Sequence, residues 1–258
     1  MKYLQVKNVS KSFIVENKEN KILDNLDFEI NKGEFISVIG SSGCGKTTLL
    51  RILAGFEETT SGQVICNNEK ISNPKMKYAY IFQEFNQLLP WKTVKQNIIY
   101  PLVLNKRYTS EECEIKANEY LNLIGLQEYA NYYPYALSGG MKQRVAIARA
   151  LAMQPEVLFM DEPFSCVDSH TREKLHEELL TIWRKLNLTI VFITHNIEEA
   201  IHLSTRIIVL SDKPAKITQI FNNRVTGKKT PADDGYAKLW NDLHEIIKNT
   251  KGIGVNLK

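Results

Sequence analysis

The chain has 258 residues, 43% hydrophobic and 24% charged, with 33 Lys and Arg against 29 Asp and Glu for a net charge of +4. This is ordinary for a folded protein of one large or two small domains, and it excludes a disordered, collagen-like or disulfide-scaffold chain. The basic excess is too small to argue for nucleic-acid binding. The four cysteines, Cys44, Cys66, Cys113 and Cys166, form no C-x-x-C pair. Reduced thiols are therefore expected, rather than a zinc site or a disulfide framework. No segment approaches the ~18 apolar residues of a membrane span, and the opening MKYLQVKNVSKSF offers no apolar signal-peptide core.

Short apolar runs alternate with helical stretches, which predicts an α/β fold with a mostly parallel sheet. Residues 4–9 and 26–30 alternate apolar with polar, as antiparallel strands with one wet face do. FISVI, residues 35–39, reads as a buried strand running into a Gly-rich turn, with a helix at 46–54. Residues 78–82 form another short strand. The charged stretch 84–137 reads as an inserted helical subdomain, with Pro90, Pro101 and Pro134 marking breaks. Residues 157–160, 189–193 and 207–210 read as further strands, the first two nearly all apolar as in a central parallel sheet. NRVTGKKTPADDG, after Asn222, has linker composition. Beyond it Tyr236, Leu239, Trp240, Leu243, Ile246 and Ile247 recur at helical spacing, predicting an amphipathic helix that covers part of the core.

GSSGCGKTT, residues 40–48, fits G-x-x-x-x-G-K-[ST] between a strand and a helix, the context this motif requires. Gly40, Gly43 and Gly45 free the backbone so that successive N–H groups point inward at phosphate oxygens. Ser41, Ser42, Cys44 and Thr48 complete the loop. The following helix adds roughly half a positive charge at its N-terminus. Lys46 supplies a full charge for the β- and γ-phosphates, and Thr47 a hydroxyl for Mg²⁺. Cys44 reads as a small tolerated residue, although a helix N-terminus can lower a thiol's pKa.

VLFMDE, residues 157–162, sets two acids at the end of an apolar strand, where ligands bind in open α/β sheets. Asp161 is placed for the Mg²⁺ shell and Glu162 to polarise an attacking water. Gln83, ending the strand YAYIF, could reach the metal or the water. His195, ending TIVFIT, could contact the γ-phosphate. LSGGMKQR, residues 137–144, gives a second helix start, with Ser138 in N-cap chemistry and Gly139 and Gly140 leaving room for close backbone approach. Since the first cradle is already complete, this second anion site suggests use in trans, across a dimer.

The set of motifs resembles the ATP-binding subunits of ABC transporters over about residues 1–222. Residues 40–48 match the Walker A motif, Gln83 the Q-loop, residues 137–141 the signature, 157–162 the Walker B strand, 165–168 the D-loop and His195 the switch histidine. Phe13 matches the aromatic residue that stacks on adenine. LSGGMKQRVAIARAL, DEPFSCVDSHTREKL, ITHNIEEAI and LLPWKTVKQNI are similar to subunits that import nitrate, sulfonates or taurine. Met141, Cys166 with Val167, and Asn196 depart from the commonest motif residues without removing charge chemistry.

The resemblance implies a P-loop NTPase (RecA-like) core with an antiparallel β subdomain and the helical subdomain at 84–137. A linker and a C-terminal helix would occupy 223–258. It further implies ATP and Mg²⁺, with two copies closing head to tail around two nucleotides. Each nucleotide would lie between Lys46 of one copy and Ser138 and Gly140 of the other, with Asp168 bridging the copies. A transmembrane permease would dock on EFNQLLPWKTV through Leu88, Leu89, Pro90 and Trp91, or those side chains pack internally. An extracytoplasmic solute-binding protein is implied indirectly, and the location is peripheral, on the cytoplasmic face of the cell membrane. No nucleic-acid partner is expected. The rival classes are a soluble ABC ATPase acting on nucleic acid or ribosomes, a P-loop small-molecule kinase, and a non-catalytic subunit. The first of these usually carries a long coiled-coil insertion or two cassettes, and neither is visible here.

Overall fold

A computed structural model describes residues 2–83, 87–227 and 235–252. Residues 84–86 of the expected docking segment and 228–234 of the expected linker lie outside the described residues. The chain divides into two compact units, one of Met1–Pro74 with Asn187–Lys258 and one of Lys75–Leu186.

The first unit opens with a long hairpin, β1 (Lys2–Val15) and β2 (Lys18–Asn31). Both strands run well past the expected 4–9 and 26–30. The register shifts around Val6, Val9, Lys11 and Ser12, with Asn8 and Asn25 at positive φ, and these bulges break the alternation that would have announced the full length. Glu16 and Asn17, at φ 51° and 60°, make the two-residue turn, which fits the right-handed twist of the strands. Two further strands were not foreseen, β4 (Ser61–Cys66) and the short β5 (Glu69–Lys70), turned by Asn67 and Asn68 at positive φ. The antiparallel sheet is ordered β2-β1-β4-β5.

The same unit holds β3 (Phe35–Ile39), helix α1 (Lys46–Leu53), β8 (Thr189–Ile193) and β9 (Arg206–Leu210). β3 pairs in parallel with β8 and β9, and all five residues of β3 and of β8 are buried, as their apolar runs predict. The edge strand β10 (Ile217–Asn222), unforeseen because its apolar residues Ile217, Ile220 and Phe221 do not alternate with polar ones, pairs antiparallel to β9. Helix α6 (Ile197–Leu203) has no counterpart among the sequence expectations, whereas α7 (Tyr236–Gly252) follows the predicted helical spacing. Tyr236 and Leu243 of α7 are buried against Ile39, Ala200, Ile201 and Ile207.

The second unit contains β6 (Tyr78–Ile81) and β7 (Val157–Asp161), paired in parallel, with helices α2 (Val94–Leu104), α3 (Ser110–Leu123), α4 (Gly139–Ala152) and α5 (Ser169–Leu186). α2 and α3 each start in a capping box, Thr93 with Gln96 and Thr109 with Glu112. Pro101 does not break the chain as expected but lies inside α2, three residues before its end. Its ring costs a single helical bond, and Asn105 N–H still donates to its carbonyl at 3.1 Å. Buried Asn97 ties the preceding loop down. Its amide donates to the Lys92 and Thr93 carbonyls at 3.0 Å and its oxygen accepts from Leu89 N–H at 2.9 Å. In that loop Leu88 is buried in the unit's core, whereas Trp91 is 69% exposed. Among the described residues no helix is long and apolar enough to cross a membrane.

Candidate nucleotide site

The loop between β3 and α1 has the geometry of a phosphate cradle. Gly45, at φ 122°, is the residue before α1, and a Cβ there would stand 2.9 Å from Ile22 Cγ2 and Leu23 Cδ2 of β2. Gly43 turns the loop at φ 76°. No side chain caps α1, so the helix start offers its N–H groups outward with the positive end of the helix dipole. Lys46 is buried, and its ammonium donates to the loop's own Gly40 and Ser41 carbonyls at 3.0 and 2.9 Å. The lysine thus lies folded into the loop that a phosphate would occupy. Ser42 and Thr47 are exposed, Ser41 and Thr48 half-buried. Ser41 Oγ donates to the Asp212 carboxylate, a contact with no signal in the sequence pattern.

Cys44 is buried, and burial pushes its thiol above the ordinary range despite the neighbouring Lys46 charge. The helix-terminus effect that would make it reactive is outweighed, and Cys44 packs as a small apolar residue. Phe13 is half-buried on β1, and His195, two residues beyond β8, is exposed. Next to it Asn196 caps α6, its side-chain oxygen accepting from Glu198 and Glu199 N–H at 2.8 and 3.3 Å. Asn caps as well as Asp, so this departure from the common motif keeps the helix start intact. Thr194 Oγ donates to the buried Glu199 carboxylate at 2.5 Å, bracing the same turn. Asn196 followed three residues later by Glu199 was the sequence signal for it.

In the second unit Asp161 ends β7, buried, and its carboxylate accepts from the Tyr80 hydroxyl at 2.9 Å. Glu162 leaves the strand at φ 43°, a left-handed conformation uncommon for a non-glycine residue. Ser165 fixes it there, donating both N–H and Oγ to the Glu162 carbonyl at 3.1 and 2.9 Å. Gln83 does not end a strand as expected. β6 stops at Ile81, because the Phe82 backbone bonds instead to the Gln87 amide at 3.3 and 3.4 Å, and Gln83 is exposed beyond it.

Ser138 is the N-cap of α4, its Oγ accepting from Met141 N–H at 3.3 Å. Gly139 is half-buried. Gly140 is buried, and a Cβ on it would stand 2.5 Å from Thr171 Cγ2 of α5. Its lack of a side chain is thus required by helix packing inside the unit, where the sequence suggested only ligand approach. Asp168 is exposed and caps α5, accepting from Thr171 N–H at 3.0 Å. That bond and the Thr171 hydroxyl hold its carboxyl below the usual range. Val167 is buried and Cys166 exposed. Among the described residues no group of three His, Cys, Asp or Glu is arranged to hold a metal.

A strand, a glycine loop with its lysine folded inward and an uncapped helix start define a P-loop nucleotide-binding protein. The ABC transporter family matches residues 23–165. The chain is 41% identical to the aliphatic sulfonates import ATP-binding protein SsuB of Bacillus cereus over 92% of each chain. It is 39% identical to the nitrate import ATP-binding protein NrtD of Synechocystis over 91% of this chain and 88% of the relative. A solved dimeric ATP-binding cassette in a post-hydrolysis state, bound to ADP and Pi, superposes with a TM-score of 0.76 at 33% identity, covering 86% of this chain and 99% of that one. The chain belongs to the ABC transporter family.

Proposed function

We propose that the chain is the ATP-hydrolysing subunit of an importer for a small organic or inorganic anion, carried by a separate membrane permease. The observation that carries this reading is the P-loop, with Lys46 held on the Gly40 and Ser41 carbonyls at the uncapped start of α1. The likeness to sulfonate and nitrate import subunits supports an anionic solute. We read residues 1–222 as the ATP-binding domain, with 84–137 as its helical part and 223–258 as linker and tail helix. The subunit works as a dimer, in keeping with the dimeric cassette it resembles. A solute-binding protein outside the membrane would select the cargo, and the subunit would sit peripherally on the cytoplasmic face.

Phosphoryl transfer to water needs positioning and charge neutralisation more than covalent chemistry. Lys46 exchanges its loop carbonyls for phosphate oxygens, and the α1 start and the Gly40–Thr48 backbone N–H groups hold the same anion. Phe13 stacks on the base. Glu162, fixed by Ser165 at the strand end, accepts the water's proton and orients it, and His195 contacts the γ-phosphate. Ser138, Gly139 and Gly140 of a second copy close over the nucleotide, and Asp168 bridges the copies. Thr47 offers a hydroxyl, Gln83 an amide oxygen and Asp161 a carboxylate, each a hard oxygen donor of the kind that would hold Mg²⁺ with retained waters. When bound, the ion would supply charge neutralisation to the phosphates.

The test is steady-state ATP hydrolysis by Glu162→Gln. Turnover falls at least about 100-fold while ATP still binds. Wild-type turnover would remove Glu162 from the reaction.

A further inference from the structure

Lys11 and Phe13 are two residues apart on β1 and so share one face of the strand. The Lys11 ammonium stands 4.7 Å from the centroid of the Phe13 ring. It also pairs with the Glu57 carboxylate at 2.8 Å, and Lys11 as a whole is only 9% exposed. A lysine this buried is uncommon unless its charge is matched, and here a carboxylate and an aromatic face match it together.

The placement ties the ring to the phosphate cradle. Glu57 lies just past α1, whose first residue is Lys46, with Gly55 at φ 80° turning the chain between them. The same loop is stitched to β1 twice more. Thr60 N–H donates to the Ser10 carbonyl at 2.9 Å, and Ser12 N–H donates to Thr60 Oγ at 3.0 Å. The hairpin alone does not hold this part of β1 in regular register, since pairing with β2 shifts between Val9 and Lys11 and again between Lys11 and Ser12. A continuous mechanical path therefore runs from the P-loop through α1 and Glu57 to Lys11 and the Phe13 ring.

We propose that Lys11, held by Glu57, is a positioning residue for the base of the bound nucleotide. It fixes the Phe13 ring at a set place relative to the cradle and fills one face, leaving the other for the base. The inference rests on the reading of Phe13 as the base platform. Its signature is selective, because Lys11 acts on the base-dependent part of binding and leaves the phosphate-dependent part alone.

The experiment measures binding of ATP and of inorganic tripolyphosphate, which carries phosphates without a base, to the full chain and to the Lys11→Met, Lys11→Arg, Glu57→Gln and Phe13→Ala variants. Lys11→Met weakens ATP binding by roughly 5- to 30-fold and leaves tripolyphosphate binding within about two-fold. Its KM for ATP rises while kcat holds. Lys11→Arg restores ATP binding, and Glu57→Gln gives a smaller loss of the same selectivity. Equal loss of both ligands overturns the proposal, as does unchanged ATP binding in Lys11→Met where Phe13→Ala loses it. Unchanged ATP binding in Phe13→Ala would instead overturn the platform reading beneath it.

Discussion

Two helices of this chain carry glycine at or just before their first residue, and they start in opposite ways. α1 has Gly45 before it at φ 122° and no side-chain cap. α4 has Ser138 before it, with Oγ already spent on Met141 N–H. The first start has no side chain on its backbone N–H groups, whereas at the second the Ser138 hydroxyl takes one of them. The glycines differ as well. Gly45 is needed for its backbone conformation and for the closeness of Ile22 and Leu23, whereas Gly140 is needed because Thr171 of α5 packs against it. One motif type, glycine at a helix start, thus answers two physical demands, a backbone conformation close to β2 in one unit and helix packing in the other.

The contrast breaks most readily at Gly45. In Gly45→Ala the added Cβ meets β2 at a φ that non-glycine residues avoid, at a cost of about 1–3 kcal/mol of strain before any clash. Nucleotide affinity should fall at least about 100-fold, and the melting temperature with it, by titration calorimetry and thermal unfolding. An affinity within a few-fold of wild type would show that the loop conformation is not what holds phosphate. At the second start, Gly140→Ala should destabilise the fold by about 1–3 kcal/mol through overpacking. Trimming the neighbour in Gly140→Ala with Thr171→Ala should recover most of that loss, because the clash is with a side-chain methyl. No recovery would mean that the glycine serves something other than this contact.

Ser138→Ala sharpens the difference further. Loss of the cap costs about 1 kcal/mol in chemical denaturation. If Ser138 also reaches nucleotide in a second copy, ATP turnover drops by more than that stability loss explains, and Ser138→Thr keeps both. The smallest effect belongs to Asp168. Its carboxyl is held below the usual range by Thr171 N–H, so the charged form stabilises the folded state above the ordinary carboxylate pKa. That stability is lost as pH falls through the lowered folded value. Thermal unfolding of wild type and Asp168→Ala should therefore differ most at neutral pH, with the gap narrowing in acid, and a pH-independent gap would contradict a capping carboxylate.

The parallel strands were readable because burial on both faces makes them continuous apolar runs, and β3 and β8 end where FISVI and TIVFI end. The antiparallel sheet was read only in part. Bulges and positive-φ asparagines broke the period of β1 and β2, and the Asn67–Asn68 turn hid β4 and β5. Among candidate site residues, the P-loop announced itself through local spacing. What holds the acids in place did not, because Tyr80 on Asp161 and Ser165 on Glu162 are contacts set by folding. Gln83 misled for a related reason, since a side chain four residues on, Gln87, takes the backbone that would have continued β6. Pro101 misled because one missing N–H near a helix end is a small loss when α2 is packed around Ile98 and Leu102.

In the proposed dimer two copies enclose the nucleotide, one with its uncapped helix start and the other with its capped one. Sedimentation velocity of Glu162→Gln with and without ATP tests it most directly. A monomer that becomes a dimer on adding ATP, and fails to do so when Ser138 is also replaced, is the predicted result. A chain that stays monomeric with ATP bound, or a wild type that hydrolyses at full rate at concentrations where it sediments as a single copy, would contradict it.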